Sequence, residues 1–362
     1  MTYKEYKIAV VGFYQINDSY NGASEVSLSL YDSLNCKKKL FDLKNPELLD
    51  SNLFFIFFYS YLIKPFRILF QVKKVSNFLN KSKKKIIIIE GASWIGYSYI
   101  FIKIIKFLVK DVKIIYHAHN IEYEIRKLKN SYLIQLLTYI FEKKVLNLSD
   151  YSTSVSKIDQ KKNLLLYKKK TLLFYNGISK KRLRSSKKKI KGEYIIFSGN
   201  YFFLPNQIAL DKLIKLFTKL NKKFKKLKLV ITGSNIPESI RNHDFVIFKK
   251  NLSKQNLNNY LKKSICTILP LNEAPGTKLK VIEAFLNGVI VVGTKHAFKG
   301  LNLSKSKPPF IYKNENQLYN LIKLIINNKD EIKKLAFKDI KNYKKDYLME
   351  NIIKKFFAIN GI

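Results

Sequence analysis

Ile265-Cys266-Thr267-Ile268-Leu269-Pro270-Leu271-Asn272-Glu273-Ala274-Pro275-Gly276-Thr277-Lys278-Leu279-Lys280-Val281-Ile282-Glu283-Ala284-Phe285-Leu286-Asn287-Gly288-Val289-Ile290-Val291-Val292-Gly293 contains a complete strand–helix–strand unit. One continuous apolar run ends at Leu271. A polar loop with Pro275 and Gly276 follows, and apolar residues then recur at helical spacing from about Thr277. Gly288 suits the left-handed residue that closes a helix, and Val289–Gly293 forms a second apolar run. Strands apolar along their whole length are those covered on both faces, as in parallel α/β sheets.

The same alternation extends outward in both directions. Strand-like runs occur at Ile8–Val11, Ile86–Ile89, Val112–Tyr116, Tyr194–Phe197, Leu227–Thr232 and Phe245–Phe248, with helix-period segments such as Ile208–Leu220 between them. The series runs twice, interrupted by the basic, apolar-poor stretch Ser179–Lys189. The expectation is α/β: two Rossmann-like domains facing each other across a cleft. The expected parts are an N-terminal domain over 1–180, a basic linker over 181–192, a C-terminal domain over 193–340, and a helical segment over 341–362 packing back on the first domain. In such sheets ligands bind beyond the carboxyl ends of the strands, so the loops there carry the candidate residues.

The loop after the first strand leads into a helix beginning near Gly22 and Ala23, where free backbone N–H groups suit an anion or a sugar hydroxyl. It matches neither a dinucleotide fingerprint nor a P-loop. The third strand ends at Glu90. The fourth ends His117-Ala118-His119-Asn120, which puts both histidines on one face, His119 at the strand end and Asn120 at the cap of the next helix. His117 reads as a core histidine and His119 as functional; no acidic third ligand is evident that would make the pair a metal site. In the opening segment, Gly276 and Thr277 begin a helix, a terminus that suits a diphosphate. Lys278 and Lys280 add charge there, and Glu283 lies about two turns in, where a carboxylate can accept from two sugar hydroxyls.

Gly276-Thr277-Lys278-Leu279-Lys280, then Glu283-Ala284 and Val289-Ile290-Val291-Val292-Gly293-Thr294, resemble the donor-site signature of family 4 glycosyltransferases, the group 1 glycosyl transferases of the GT-B fold. Asn21-Gly22-Ala23-Ser24-Glu25 is similar to the family's first glycine loop, and His119-Asn120-Ile121-Glu122 to its His-Asn-x-Glu segment. Asn176-Gly177-Ile178, Phe197-Ser198-Gly199-Asn200 with Pro205-Asn206, Thr232-Gly233-Ser234 and His296–Leu301 follow in the family's order. The resemblance implies a nucleotide-sugar donor on the C-terminal domain, held by Gly199, Asn200, Gly233, Gly276, Thr277, Lys278, Lys280 and Glu283. It implies an acceptor on the N-terminal domain near Gly22 and Ala23, retention of anomeric configuration, and no metal or other cofactor.

Three positions depart from the family. Pro275 stands where the first Glu of its Glu-x7-Glu motif belongs. The loop Asn200–Asn206 lacks its Arg and Lys, a deficit that Lys278 is expected to fill. Glu90 stands near the place of its histidine after the third strand. The candidate catalytic residues are therefore His119 and Glu90.

Composition bounds the remaining classes. Lys plus Arg is 68 against 26 for Asp plus Glu, a net charge of +42. Abundant Lys, Asn, Ile, Phe and Tyr with little Gly also fits A/T-rich coding, so the charge has a compositional reading beside a functional one. Either way anionic surfaces attract the protein and salt weakens the attraction. Two cysteines exclude a disulfide scaffold, and their separation excludes zinc-ligand pairs; both are expected to be buried thiols. The most apolar segment, Leu53–Ile63, is too short to span a bilayer. No signal peptide is expected at Met1–Gly12.

Apolar segments bounded by Lys and Arg suit the inner face of a membrane, so a cytoplasmic, peripheral location and a lipid-linked or saccharide acceptor in surface polysaccharide or glycolipid synthesis are expected. An inactive family scaffold is one alternative. A nucleic-acid-binding protein is another, but the lysines are dispersed and no recognition motif is present, so no nucleic-acid partner is expected.

Overall fold

The computed structural model describes residues 3–16, 22–43, 63–80, 82–127, 130–187, 190, 193–238, 243–271, 278–303 and 310–362. The chain divides into two units. One comprises Met1–Asn17, Val26–Asn176 and Ile353–Ile362, the other Asp18–Glu25 and Gly177–Ile352.

The first unit is a parallel sheet of β1 (Lys7–Gly12), β2 (Lys37–Phe41), β3 (Lys85–Gly91), β4 (Val112–Ala118), β5 (Tyr151–Ser154) and β6 (Leu172–Leu173), in the order β2-β1-β3-β4-β5-β6. β1 is buried at every residue, and β3 at all but its first. That is the physical reason these runs are apolar throughout. Helices Lys64–Leu79 and Ile95–Leu108 lay Ile68, Val72, Val75, Phe101, Ile102 and Ile105 onto a core with Ile87, Ile89 and Ile114. Strand order reverses between β1 and β3, where Gly12 pairs in register with Glu90. This reversal is the position at which open α/β sheets take ligands.

The second unit holds β7 (Tyr194–Asn200), β8 (Lys228–Ser234), β9 (Val246–Lys250), β10 (Cys266–Leu269), β11 (Ile290–Gly293) and β12 (Phe310–Ile311), all parallel, in the order β12-β11-β10-β7-β8-β9. Its reversal lies between β7 and β10. Helix Leu204–Lys223 starts with Pro205 in its first turn, where a missing N–H costs nothing, and buries Ala209, Leu213, Leu216 and Phe217. Helix Leu279–Leu286 closes as expected. Gly288 has φ +73°, its N–H bonds the Phe285 carbonyl and that of Val289 the Ala284 carbonyl, the paired closure of a Schellman motif.

All eight expected strands are present. Among the described residues, four others are too short or too polar to show an apolar strand pattern. β2 is Lys-Lys-Lys-Leu-Phe at a sheet edge, β5 is Tyr-Ser-Thr-Ser, and β6 and β12 have two residues each. The basic stretch after Ser179 is not an open tether throughout. Lys181–Leu183 form a 3₁₀ turn, and the Asn258 side chain donates to the carbonyls of Arg182 and Arg184 at 2.7 and 2.8 Å. Cys266 is buried, but Cys36 is only half-buried, beside the edge strand β2; both are free thiols. No described helix is long and apolar enough to cross a membrane. The apolar run Leu53–Ile63 lies, except for Ile63, outside the described residues.

Candidate functional site

At the reversal of the second sheet, the end of β7 and the start of helix Leu279–Leu286 border a cavity of about 980 Å³. Gly199, Asn200, Lys280 and Glu283, all expected donor residues, line it together. Gly22, which belongs to the second unit and not to the N-terminal domain where it was expected, lines it too. Ala23 is half-buried beside it in the first turn of helix Gly22–Ser33. Lys278 is buried at the cap of helix Leu279–Leu286 and is not among the lining residues. Gly276, Thr277 and Pro275 lie outside the described residues.

Gly233 is required by its neighbour. It pairs in register with Gly199, has φ +129°, and a Cβ there would stand 1.8 Å from the Gly199 carbonyl oxygen. Gly199 in turn faces the Lys280 ammonium and the Asn206 amide, at 3.0 and 3.1 Å from a built Cβ. Lys280 donates to Asn206 Oδ1 at 2.9 Å and lies over the Phe197 ring. Asn206 donates to the Asn200 carbonyl at 2.7 Å, which ties the loop after β7 to the helix that follows it. Burial lowers the Lys280 ammonium to about 8 despite nearby Glu283. A cation this poorly solvated binds an anion strongly.

Glu283 is buried and bonded to Lys254, which also pairs with Glu25 at 3.2 Å. Burial alone would lower the Lys254 ammonium; the two carboxylates outweigh it and hold it above its ordinary value. Arg182 clasps Glu25 with two bonds of 2.9 and 2.8 Å. Arg182, Lys254, Glu25 and Glu283 thus form one charge chain along the cavity wall. Sequence reading missed its first three members. Lys254 follows Ser253, which caps helix Lys254–Lys263 beyond the end of β9, and a loop beyond a strand's carboxyl end was the signal available. Arg182 lay within the stretch read as a linker.

At the reversal of the first sheet, Glu90 is fully buried and pairs in register with His117 on β4. Its Oε1 lies 3.0 Å from His117 Nδ1 and its Oε2 2.6 Å from His119 Nε2. Ser27 donates to the same Oε2, and Tyr14 meets Ser27 at 2.7 Å. Burial alone would raise the Glu90 carboxyl, but His117 and His119 overcome it and hold the carboxyl well below the usual carboxylate range.

The acidic partner absent from the sequence pattern of the two histidines is therefore Glu90. Its carboxylate and the two rings offer ligand atoms within 4.8 Å of one another, a set compatible with a divalent cation. The loop bearing His119 is anchored by Glu142, whose oxygens accept from the backbone N–H groups of Glu122 and Tyr123 at 2.8 and 2.9 Å. That capping comes from a distant helix rather than from the expected Asn120.

Residues 192–328 match the family described as glycosyl transferases group 1. The match falls within the second unit. No curated protein matches the sequence. Among solved structures, the chain is similar to Anabaena Alr3699/HepE in complex with UDP and glucose, at 12% identity and TM-score 0.66, covering 97% of this chain and 99% of that one. It is similar to a sucrose-phosphate synthase from Thermosynechococcus elongatus at 13% identity and TM-score 0.68, covering 98% of each chain. A glycosyltransferase from Rickettsia africae gives 14% identity and TM-score 0.63 over 98% of this chain and 97% of that one. These likenesses establish the fold: two α/β units of the GT-B type, as the group 1 resemblance implied.

Proposed function

We propose that this group 1 domain binds a nucleotide-sugar and that the chain transfers the sugar, with retention, to a saccharide or lipid-linked acceptor in surface polysaccharide or glycolipid synthesis. The observation carrying this reading is the cavity at the β7/β10 reversal. Within the segment that matches the family, it brings Gly199, Asn200, Lys280 and Glu283 to one wall. Gly199, without a Cβ, leaves the Lys280 ammonium and the Asn206 amide their places at the cavity wall. Lys280 meets the diphosphate and stabilises it as it departs, an electrostatic task that needs no metal when a desolvated cation is already in place. Glu283 accepts from the ribose hydroxyls, with Lys254 and Glu25 setting its position. That the solved Anabaena structure carries UDP and glucose supports the ligand class. In the first unit His119 serves the acceptor hydroxyl or the reacting sugar, a role that requires hydrogen-bond reach of that group.

A peripheral membrane site accompanies this reading. On helix Lys64–Leu79, Phe66 and Phe70 are 65% and 69% exposed, Leu69 is exposed beside them, and Lys73 and Lys74 continue the same stripe. Apolar side chains bordered by cations suit the surface of an anionic bilayer.

The deciding experiment is thermal unfolding with a panel of nucleoside diphosphates, followed by turnover of the matching nucleotide-sugar in excess chelator. One diphosphate should raise the melting temperature, and turnover should persist without divalent cations. Stabilisation by none of the panel would remove the donor assignment.

A further inference from the structure

The group around Glu90 contains a choice that glycosyl transfer alone does not dictate: which nitrogen of His119 faces the reaction. An ionised carboxylate only accepts hydrogen bonds. Three groups converge on Glu90, namely His117 through Nδ1, His119 through Nε2 and Ser27 through its hydroxyl. With Tyr14 giving its proton to Ser27, every member donates toward the carboxylate and none is left without an acceptor. His117 supplies an independent constraint. Its Nε2 is buried with no partner. A proton there would be a buried donor without an acceptor, whereas a bare lone pair costs less. The proton of His117 is therefore on Nδ1, which again requires Glu90 to accept. Phe174 closes over the His117 ring edge-on and removes any alternative polar partner on that side.

We propose that Glu90 is a positioning residue that fixes the tautomer of His119, taking its Nε2–H and leaving Nδ1 as the ring nitrogen offered to a reacting hydroxyl. His117 and the Tyr14–Ser27 pair hold Glu90 in the orientation that does this. The inference rests on the assignment of His119 to the reaction, but the tautomer is a property of the resting protein. A carboxylate that fixes an imidazole in this way matters to rate out of proportion to its own contacts, since the wrong tautomer presents a donor where an acceptor is needed.

The test is nitrogen NMR on histidine-labelled protein without substrate, paired with kinetics. His119 in the unaltered chain should give one neutral tautomer, protonated at Nε2, and His117 one protonated at Nδ1. Glu90→Gln has the same shape but a single acceptor oxygen, so it cannot accept from both rings, and His119 should divide between tautomers. Its kcat should fall by about tenfold or more while KM for the donor stays within about twofold. Ser27→Ala removes one donor to Glu90 and leaves both carboxylate oxygens, and should keep the Nε2–H form. Four results would overturn the proposal: an Nδ1–H tautomer of His119 in the resting protein, a tautomer unchanged in Glu90→Gln, a Glu90→Gln variant that loses melting temperature but not kcat, or a stoichiometric metal that Glu90→Gln releases. A chain that proves unable to transfer sugar still answers through the resting tautomers, so failure of the functional reading is distinguishable from failure here.

Discussion

Lys280 and Glu283 sit one turn apart on a short helix and are asked to do opposite things. Glu283→Gln keeps the side chain's shape and removes its charge. Loss of a charge-assisted bond to ribose of roughly 1.5–3 kcal/mol predicts at least about a tenfold fall in nucleotide affinity, measured by calorimetry. The melting temperature of the unliganded protein should change little, because Lys254 keeps Glu25; unchanged affinity would take Glu283 out of the site. Lys280 gives a pH dependence. Its ammonium is lowered to about 8, whereas the unfolded chain holds the proton to about 10.5. Folding therefore releases a proton between these values, and stability contributed by this group rises with pH across that window. Binding runs the other way. A diphosphate favours the ammonium and raises its pKa, so above about pH 8 binding takes up a proton and affinity declines as pH rises. Phosphate ionisation is complete by then, near pH 6. Lys280→Met should bind weakly with a flat profile from pH 7 to 9; a flat profile in the unaltered chain would separate Lys280 from the ligand. Lys280 and Glu283 were legible from the charged helix that follows a strand and loop, and Gly199 and Asn200 only through the family resemblance. Lys254, Glu25 and Arg182 were not, since ion pairs between distant residues leave no periodic trace in a sequence.

Among the elements, the paired strand ends of β7 and β8 show how little freedom the cavity wall has. Gly233→Ala would drive a methyl into the Gly199 carbonyl at a backbone angle that L residues rarely adopt. Strand ends must separate to admit it, so a loss of several kcal/mol, among the larger single-site effects, and a collapse of nucleotide binding are expected from denaturant titration. Gly22→Ala meets nothing within 4 Å. Its melting temperature should stay within about a degree, since surface changes usually fall within about 0.5 kcal/mol. Equal tolerance of both substitutions would mean that the close approach of β7 and β8 is not needed. The contrast between legible and illegible elements has the same origin. A central strand such as β3 must be apolar on both faces and announces itself. β2 is held by its hydrogen bonds to β1, with Lys37, Lys38 and Lys39 paired to Lys7, Ile8 and Ala9, and needs no apolar pattern to be a strand. Short β6 and β12 are likewise products of their neighbours.

For the molecule as a whole, the net charge of +42 and the Phe66–Phe70 stripe make a joint prediction about lipid. The protein should sediment with anionic vesicles and be released by salt, because charge is screened while apolar insertion is not. Phe66→Ser with Phe70→Ser should leave a weaker, wholly salt-sensitive attachment. Equal binding to anionic and neutral vesicles, or binding to neither, would count against the bilayer as a partner. The last described helix, Met349–Ile359, has a consequence of a different kind. Phe356 and Phe357 belong to the first unit, where they pack on Phe174, Tyr151 and Tyr3, although nearly the whole of the second unit lies between them in sequence. On the ribosome, the first unit must wait for residues made after the second. The second unit has its full sequence by Ile352, so the order in which the units are completed is the reverse of the order in which they begin, and a nascent chain leaves the rings of Tyr3, Tyr151 and Phe174 without Phe356 and Phe357 until residues 353–362 emerge.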